Sequence, residues 1–304
     1  MALKTTCMLY VVILLSALFG ATSSYSKSLV INQEDFVAQK KMQKLPDGIN
    51  QAYVEFGNPS APTLVLLHGY TDTSRAWTPI LPYLAKHYHV VAFDLRGHGN
   101  TSAPPCCYTF QDMAYDIKLG MDNLGIKKAL VVGHSLGTFV AQMLAEMWPE
   151  KVSDVVLIST SSNSFSVTAP DTWLGKGVAS LTDPIDLNSQ FMKDFNYNPN
   201  PIDPVFKKFL MEEAVKTPLR VWKQALDTLN STDTGRLLYK IKAPVLIIHG
   251  EKDQFFDEAG QKSIRALLPK AKYIEYKNMG HNPYWENPKL VATDIEAFDK
   301  QARQ

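Results

Sequence analysis

The sequence predicts an α/β protein built on a mostly parallel central sheet, and three features of the chain support this. Short, continuously apolar runs of strand length recur along the chain, as expected for strands that are buried on both faces. Segments with the apolar spacing of helices separate most of these runs. The alternation stops between about Ser162 and Tyr239 and then resumes. Such an alternation is typical of a parallel sheet that helices cover on both faces.

Seven runs have the length and composition of strands. In chain order they are INQAYVEFG (49–57), TLVLLHG (63–69), HVVAFD (89–94), KALVVG (128–133), SDVVLIST (153–160), APVLIIHG (243–250) and AKYIEY (271–276). The segments predicted as helices of the sheet region are AWTPILPYLAKHY (76–88), FQDMAYDIKLGMDNLG (110–125), LGTFVAQMLAEMWPEKV (136–152), EAGQKSIRALL (258–268) and PKLVATDIEAFDKQ (288–301). Together they predict a strand–helix order that brings the carboxyl ends of several strands to one edge.

The interruption has several prolines, many aromatic residues and no clear strand. Two of its segments, DPVFKKFLMEEAVK (203–216) and PLRVWKQALDTL (218–229), have helical patterns. We therefore predict a helical insertion over the sheet. The predicted organisation is a core in two parts, residues 25–162 and 241–304, with a cap over residues 163–240.

The first 24 residues have the layout of a secretory signal peptide. Lys4 precedes an apolar run from Met8 to Phe19, and small residues follow up to Ser24. The alternative is a membrane anchor, but the apolar run is shorter than the ~20 residues that span a bilayer. We expect cleavage near Ser23 or Ser24, a secreted, periplasmic or lumenal protein, and no stable membrane anchor afterwards.

The charges indicate which partners to expect, and the cysteines indicate whether disulfide bonds can stabilise the fold. The chain has 31 basic and 30 acidic side chains, so its net charge of +1 does not favour nucleic acid as a partner. Removal of the leader leaves only the adjacent pair Cys106 and Cys107. Neighbouring cysteines cannot join distant parts of a fold, so the core must supply the stability.

A candidate nucleophile lies in the stretch LVVGHSLGTF. Ser135 stands between Gly133 and Gly137 in the pattern G-x-S-x-G, after a predicted strand and before a predicted helix. This is the context of a nucleophile elbow, a strained turn that exposes the serine hydroxyl. An unreactive serine at a strand–helix junction is the alternative for any isolated match to so short a pattern.

A serine nucleophile needs a base and an acid that orients it. Of the seven histidines, His281 lies in a loop after the last predicted strand, where the carboxyl ends of parallel strands meet. Asp253 follows another buried strand and is the predicted acid, whereas Asp257 has the position of a helix cap. The order Ser135, Asp253, His281 is that of serine hydrolases with an elbow.

An oxyanion intermediate needs two backbone N–H donors. One is the amide of the residue after the nucleophile, Leu136, and the other comes from the loop after an earlier strand. That loop has the sequence HGY, so we predict the Tyr70 amide as the second donor. The chemistry requires no metal and no organic cofactor.

Five blocks of the chain together resemble the signature blocks of the α/β-hydrolase family. They are LLHGY, AFDLRGHGNTS, VVGHSLG, LIIHGEKD and GHNPYWENP, and the resemblance covers about Ile49 to Ser161 and Lys242 to the end. The branch that they resemble contains single-domain esterases, lactonases and perhydrolases. The resemblance implies an eight-stranded, mostly parallel sheet with helices on both faces and a helical cap inserted after the sixth strand. It also implies the roles assigned above to Ser135, Asp253, His281, Tyr70 and Leu136.

The expected activity is hydrolysis of a small or medium carboxylic ester or lactone with an apolar portion, through an acyl-enzyme. Epoxide hydrolases and haloalkane dehalogenases of the same fold carry aspartate at the elbow, so Ser135 argues against both. Hydrolysis of carbon–carbon bonds, perhydrolysis and acyl transfer use the same site and remain alternatives, as does a ligand receptor with little turnover. Substrate choice is expected to depend on nine bulky cap residues: Phe165, Trp173, Leu174, Phe191, Phe195, Tyr197, Phe206, Phe209 and Trp222.

Overall fold

Eight strands form one mixed sheet in the computed structural model, which describes residue 29 and residues 31–304. The strands are β1 (Lys41–Lys44), β2 (Asn50–Phe56), β3 (Thr63–Leu67), β4 (His89–Phe93), β5 (Ala129–His134), β6 (Val152–Ile158), β7 (Val245–Gly250) and β8 (Lys272–Tyr276). Their order across the sheet is β1-β2-β4-β3-β5-β6-β7-β8. β1 pairs antiparallel with β2, and β2 with β4; all other neighbours are parallel. The prediction of an eight-stranded, mostly parallel sheet is confirmed.

Eleven α-helices occur in the described part of the chain. They are α1 (Leu81–Leu84), α2 (Phe110–Asn123), α3 (Leu136–Met147), α4 (Phe165–Thr168), α5 (Trp173–Ser180), α6 (Gln190–Phe195), α7 (Pro204–Ala214), α8 (Leu219–Ser231), α9 (Glu258–Leu267), α10 (Pro283–Glu286) and α11 (Pro288–Ala302). α2, α3 and α9 cover one face of the sheet, whereas α1 and α11 cover the other. Alternate residues of each central strand face opposite layers, as the two-residue period of a strand requires: Leu64 and Leu66 lie in one cluster, Val65 and Leu67 in the other.

The seven predicted strands correspond to β2–β8, whereas β1 was not predicted. The predicted helix over 76–88 is replaced by a 3₁₀ turn, Ser74–Trp77, followed by the single turn α1. Pro79 and Pro82 lie in this segment and lack the N–H groups that a continuous helix needs. The remaining predicted helices of the sheet region are present as α2, α3, α9 and α11.

Five helices, α4–α8, lie between β6 and β7, where the insertion was predicted. The N–H groups of Thr234 and Gly235 both donate to the carbonyl oxygen of Ser162, at 3.1 and 3.2 Å. The two ends of the insertion are therefore hydrogen-bonded to each other. The exact boundaries, 163–240 for the cap and 25–162 and 241–304 for the core, stay a prediction.

The N-terminal and cysteine predictions have different outcomes. Residues 1–24, the predicted signal peptide, lie outside the described residues. No helix within the described residues is both long and apolar enough to cross a membrane.

Cys106 and Cys107 are bonded to each other, with their Cα atoms 3.8 Å apart, so the pair joins no distant parts of the fold.

Candidate active site

Ser135 occupies a sharp turn between β5 and α3. Its φ and ψ of 50° and −119° are rare for a residue other than glycine, so the turn is strained. A Cβ atom on Gly133 would lie 2.4 Å from the carbonyl oxygen of Gly137, and one on Gly137 would lie 2.2 Å from that of Leu67. Only glycine at both positions lets the strand and the helix approach so closely. The turn therefore has the geometry of a nucleophile elbow.

His281 and Asp253 are joined by a hydrogen bond. His281 Nδ1 lies 2.9 Å from both carboxylate oxygens of Asp253, whose side chain is fully buried. Burial by itself would raise the pKa of Asp253. The neighbouring His281 and the N–H groups of Phe255 and Phe256, which donate at 2.8 and 3.1 Å, outweigh that effect and hold the pKa below its usual value. Because a carboxylate only accepts, Nδ1 carries a proton, and the lone pair of the neutral ring is therefore on Nε2.

Aromatic rings pack around His281 and restrict its orientation. The centroid of its ring lies 4.6 Å from that of Phe255, 5.6 Å from that of Phe256 and 4.9 Å from that of His134. Ser135 and His281 line the same cavity, although no hydrogen bond joins them among the contacts of the described residues. A base and nucleophile of this kind often draw together only when substrate is bound.

Asp257, the alternative to Asp253 as the acid that orients His281, caps a helix instead. Its side chain accepts a hydrogen bond of 2.9 Å from the N–H of Gly260 and caps the N-terminus of α9. The structure therefore places it as the helix cap that its sequence position suggested, whereas Asp253 is the carboxylate that contacts His281.

The cavity has a volume of about 610 Å³, including the part open to solvent. Six of its lining residues are apolar or aromatic side chains of the insertion and of the loop after β7: Val167, Leu174, Phe195, Leu229, Phe255 and Phe256. Of the nine bulky cap residues, Leu174 and Phe195 line the cavity, while Phe206 and Trp222 are fully buried. An apolar substrate portion would therefore contact the insertion.

The loop after β3 holds the second predicted oxyanion donor. Residues 69–72 form a turn in which the N–H of Asp72 donates to the carbonyl of Gly69 at 3.2 Å, with Thr71 at a φ of 62°. The hydroxyl of Tyr70 donates to the carbonyl of Trp222 at 2.5 Å and ties this loop to α8. Within the described residues, the N–H group of Tyr70 has no acceptor, and Leu136 is the first residue of α3, where an N–H group has no partner within the helix. The role of both as oxyanion donors stays a prediction.

Sequence reasoning missed two polar residues of this cavity, Asp72 and His134. Asp72 lies two positions beyond Tyr70 and is partly buried; burial raises its pKa to about 8, and the backbone N–H of Gly69 offsets only part of that. His134 precedes the nucleophile and is 2% exposed. The sequence offered one indication of Asp72, since its carboxyl group comes shortly after the predicted oxyanion loop. Nothing in the sequence distinguished His134 from a structural histidine.

Comparisons with known proteins identify the fold family of the chain. The profile of the alpha/beta hydrolase fold family matches residues 62–288. A bifunctional esterase/perhydrolase of Acinetobacter calcoaceticus is 30% identical over 273 residues, covering 83% of this chain and 96% of the relative. A pimeloyl-[acyl-carrier protein] methyl ester esterase of Aromatoleum aromaticum is 30% identical over 256 residues, covering 77% and 97%.

A solved structure extends the likeness to three dimensions. The crystal structure of a hydrolase from Pseudomonas aeruginosa is similar with a TM-score of 0.75 at 26% identity, covering 85% of this chain and 97% of that one. The sheet order, the elbow and these matches together lead to one conclusion: the chain belongs to the alpha/beta hydrolase family, and its relatives include esterases.

Proposed function

We propose that this protein is a serine hydrolase that cleaves a small or medium carboxylic ester or lactone through an acyl-enzyme. One observation carries the proposal: Ser135, on its strained turn, lines the same cavity as His281, whose Nδ1 is bonded to the Asp253 carboxylate. The esterase relatives support the same reaction class. The apolar residues of the cavity favour a substrate with an apolar portion.

In the first half of the reaction, the Ser135 hydroxyl attacks the carbonyl carbon while His281 Nε2 accepts its proton. The buried carboxylate of Asp253 stabilises the imidazolium that results. Negative charge develops on the former carbonyl oxygen, to which the N–H groups of Tyr70 and Leu136 donate. Each such donor lowers the barrier by about 3 kcal/mol.

Collapse of this intermediate expels the alcohol, which takes the proton from His281, and leaves the acyl group on Ser135. Water then attacks the acyl carbonyl while His281 accepts a proton from it. A second collapse releases the carboxylic acid and returns the proton to Ser135. For a lactone the alcohol and the acid are two ends of one product.

Perhydrolysis is a second candidate reaction, and the Acinetobacter relative, named as both esterase and perhydrolase, favours it. In that reaction hydrogen peroxide replaces water as the acceptor of the acyl group, and a peroxycarboxylic acid leaves. Product analysis with and without peroxide separates the two reactions.

We also propose that residues 1–24 act as a signal peptide and that the mature protein is exported. The support is the charge, apolar run and small residues of that segment. Mass spectrometry of the protein from its natural source would show a mature N-terminus near residue 24. An intact Met1 on the exported or membrane-bound protein would overturn this proposal.

The decisive experiment combines fluorophosphonate labelling with release of p-nitrophenol from short and medium esters, on the mature protein and on Ser135→Ala. We expect labelling and turnover that are both lost in the variant. Labelling without turnover of any ester or lactone would favour a receptor. Absence of labelling in folded protein would contradict the proposed nucleophile.

A further inference from the structure

One part of the cavity has polar groups that the proposed reaction does not use. Asp72 and His134 both line the cavity beside Ser135. No side chain among the described residues donates a hydrogen bond to the Asp72 carboxyl group, and the nearby backbone of Gly69 favours its charged form only in part. A carboxyl group that faces a binding cavity in this state is available to a ligand.

His134, which also lines the cavity, carries a hydrogen-bond acceptor without a partner among the described residues. Its Nε2 lies 3.0 Å from the carbonyl oxygen of His281, and because a carbonyl only accepts, Nε2 carries the hydrogen. Burial holds the pKa of His134 well below its usual value, so the ring is neutral. Its Nδ1 therefore has a lone pair and no proton. That atom is buried and has no hydrogen-bond partner within the described residues.

Nδ1 of His134 and Oδ2 of Asp72 both lie against the backbone of Gly69. A Cβ atom built on Gly69 would lie 2.8 Å from His134 Nδ1 and 3.0 Å from Asp72 Oδ2. Any larger residue at that position would crowd both atoms. They make no hydrogen bond to each other, so a ligand group that contacts both would pair with Nδ1 and with the carboxyl group at once.

The chemistry of the pair selects the bridging group. Nδ1 needs a donor, which excludes a carboxylate, a carbonyl or a methyl group as its partner. With its raised pKa of about 8, the Asp72 carboxyl group is largely protonated at neutral pH and donates as well as accepts. A hydroxyl group meets both needs, because it donates its hydrogen to Nδ1 and its oxygen accepts from Asp72. Leaving such buried groups unpaired is costly, so the preference for a hydroxyl is expected to be large.

We propose that Asp72 and His134 Nδ1 form a polar subsite that binds a hydroxyl group of the ester or lactone substrate. The substrate class is then a hydroxylated ester or lactone, with its apolar portion against the insertion and its hydroxyl beside the loop after β3. This inference rests on the proposed hydrolase function and refines it.

The test compares matched esters that differ by one hydroxyl group. On the alcohol side the pair is 2-hydroxyethyl hexanoate and propyl hexanoate; on the acyl side it is p-nitrophenyl 3-hydroxybutyrate and p-nitrophenyl butyrate. We expect the kcat/KM ratio to favour the hydroxylated ester by at least about tenfold in one pair. Asp72→Ala should bring that ratio to about one, and Asp72→Asn, which still donates, should keep part of it.

Leu229→Ala is the matched control, because Leu229 lines the apolar part of the same cavity. It should change the preference for chain length and leave the hydroxyl ratio as it is in the wild type. A general loss of packing would alter both esters of a pair alike, so the ratio separates binding of the hydroxyl group from stability. Ratios near one in both pairs, or a preference that survives Asp72→Ala, would overturn the subsite.

Failure of the hydrolase function is distinguishable from failure of the subsite. If no ester of either pair is hydrolysed, the proposed function fails, and binding of the same pairs to Ser135→Ala by calorimetry decides about the subsite. Tighter binding of one hydroxylated ester by about tenfold, lost when Asp72→Ala is added, supports it. Equal binding within both pairs overturns it.

Discussion

Asp253 is the single residue that best tests the proposed reaction. Its carboxylate accepts from His281 Nδ1 and stabilises the imidazolium. We expect Asp253→Asn to lower kcat by about 10³- to 10⁴-fold, because an amide no longer fixes the required form of the ring or balances its charge. Steady-state hydrolysis of p-nitrophenyl butyrate gives the value.

The control for this substitution is Asp257→Asn. Asp257 caps α9, and asparagine caps a helix about as well as aspartate does, so activity and stability should both be kept. Equal and mild losses in the two variants would contradict the assignment of Asp253 as the acid.

Asp72 allows a test that is independent of turnover. Its pKa in the folded protein, about 8, lies above the ordinary value of 3.8, so the folded state holds the proton more tightly than the unfolded chain does. The contribution of Asp72 to stability therefore falls as the pH rises from about 4 to about 8. Asparagine does not titrate.

We expect the free energy of unfolding of Asp72→Asn, relative to the wild type, to increase between pH 5 and pH 8 by roughly 3–4 kcal/mol. Urea denaturation of both proteins at the two pH values measures the change. A difference between them that does not depend on pH would contradict the raised pKa.

At the scale of one element, the β5–α3 turn depends on a helix that begins almost in contact with a neighbouring strand. A Cβ atom on Gly137 would lie 2.2 Å from the backbone oxygen of Leu67 and 2.5 Å from that of His68, neither of which is the end of a flexible side chain. We expect Gly137→Ala to destabilise the fold by about 1–3 kcal/mol and to reduce fluorophosphonate labelling. Thermal unfolding and labelling measure the two effects.

Gly260→Ala is a comparison within α9. There the nearest atom to a Cβ would be the side-chain oxygen of Ser161, at 3.0 Å, the next nearest atoms lie at ordinary contact distances of 3.6 and 3.8 Å, and alanine favours the helix. Its effect on unfolding should be within about 1 kcal/mol. A Gly137→Ala variant as stable and as reactive as the wild type would contradict the account of the turn.

Elements with strong apolar patterns were predictable from the sequence. β1 has no such pattern and was not predicted. Within the described part of the chain, the run KMQK of β1 lies at the edge of the sheet and pairs only with β2. It buries no side chain, so it has no apolar pattern. α4–α6 were equally hard to predict, because they are short and pack within the insertion. Their positions depend on contacts that are distant in sequence.

Some residues of the candidate site were likewise predictable from the sequence, and others were not. The glycines around Ser135 and the loop positions of Asp253 and His281 reflect local rules of turns and strand ends, which are readable from sequence. The subsite of Asp72 and His134 depends on which nitrogen of a buried ring is left unbonded. That property exists only once β5 and the loop after β8 have come together.

At the scale of the whole molecule, a buried set of charges joins three parts of the chain. Glu213, from α7 of the insertion, contacts Arg75 at 2.6 Å and Lys40 at 3.4 Å, and Lys40 contacts Asp94 at 2.9 Å. These side chains are at most 9% exposed. Lys40 precedes β1, whereas Arg75 and Asp94 follow β3 and β4. The set therefore holds the insertion and the N-terminal segment against the sheet.

Removing one member of such a set leaves its partners buried and uncompensated. We expect Glu213→Ala to lower the free energy of unfolding by about 3–5 kcal/mol, measured by urea denaturation. Glu212→Ala, at the neighbouring position of α7, is the control and should change it by less than about 0.5 kcal/mol. Equal effects of the two substitutions would show that the buried charges do not hold the insertion in place.

The N–H groups of Thr234 and Gly235 both donate to the Ser162 carbonyl, and this contact bears on how proteins of this fold could evolve. Everything between these residues leaves and rejoins the sheet through one narrow neck, so a replacement segment of another length can be spliced in without stretching β6 or β7. The proposed reacting groups, Ser135, Asp253 and His281, all lie outside the neck. Gene duplication followed by exchange of this segment would therefore produce proteins that keep the same reacting groups and differ in the substrates that they bind.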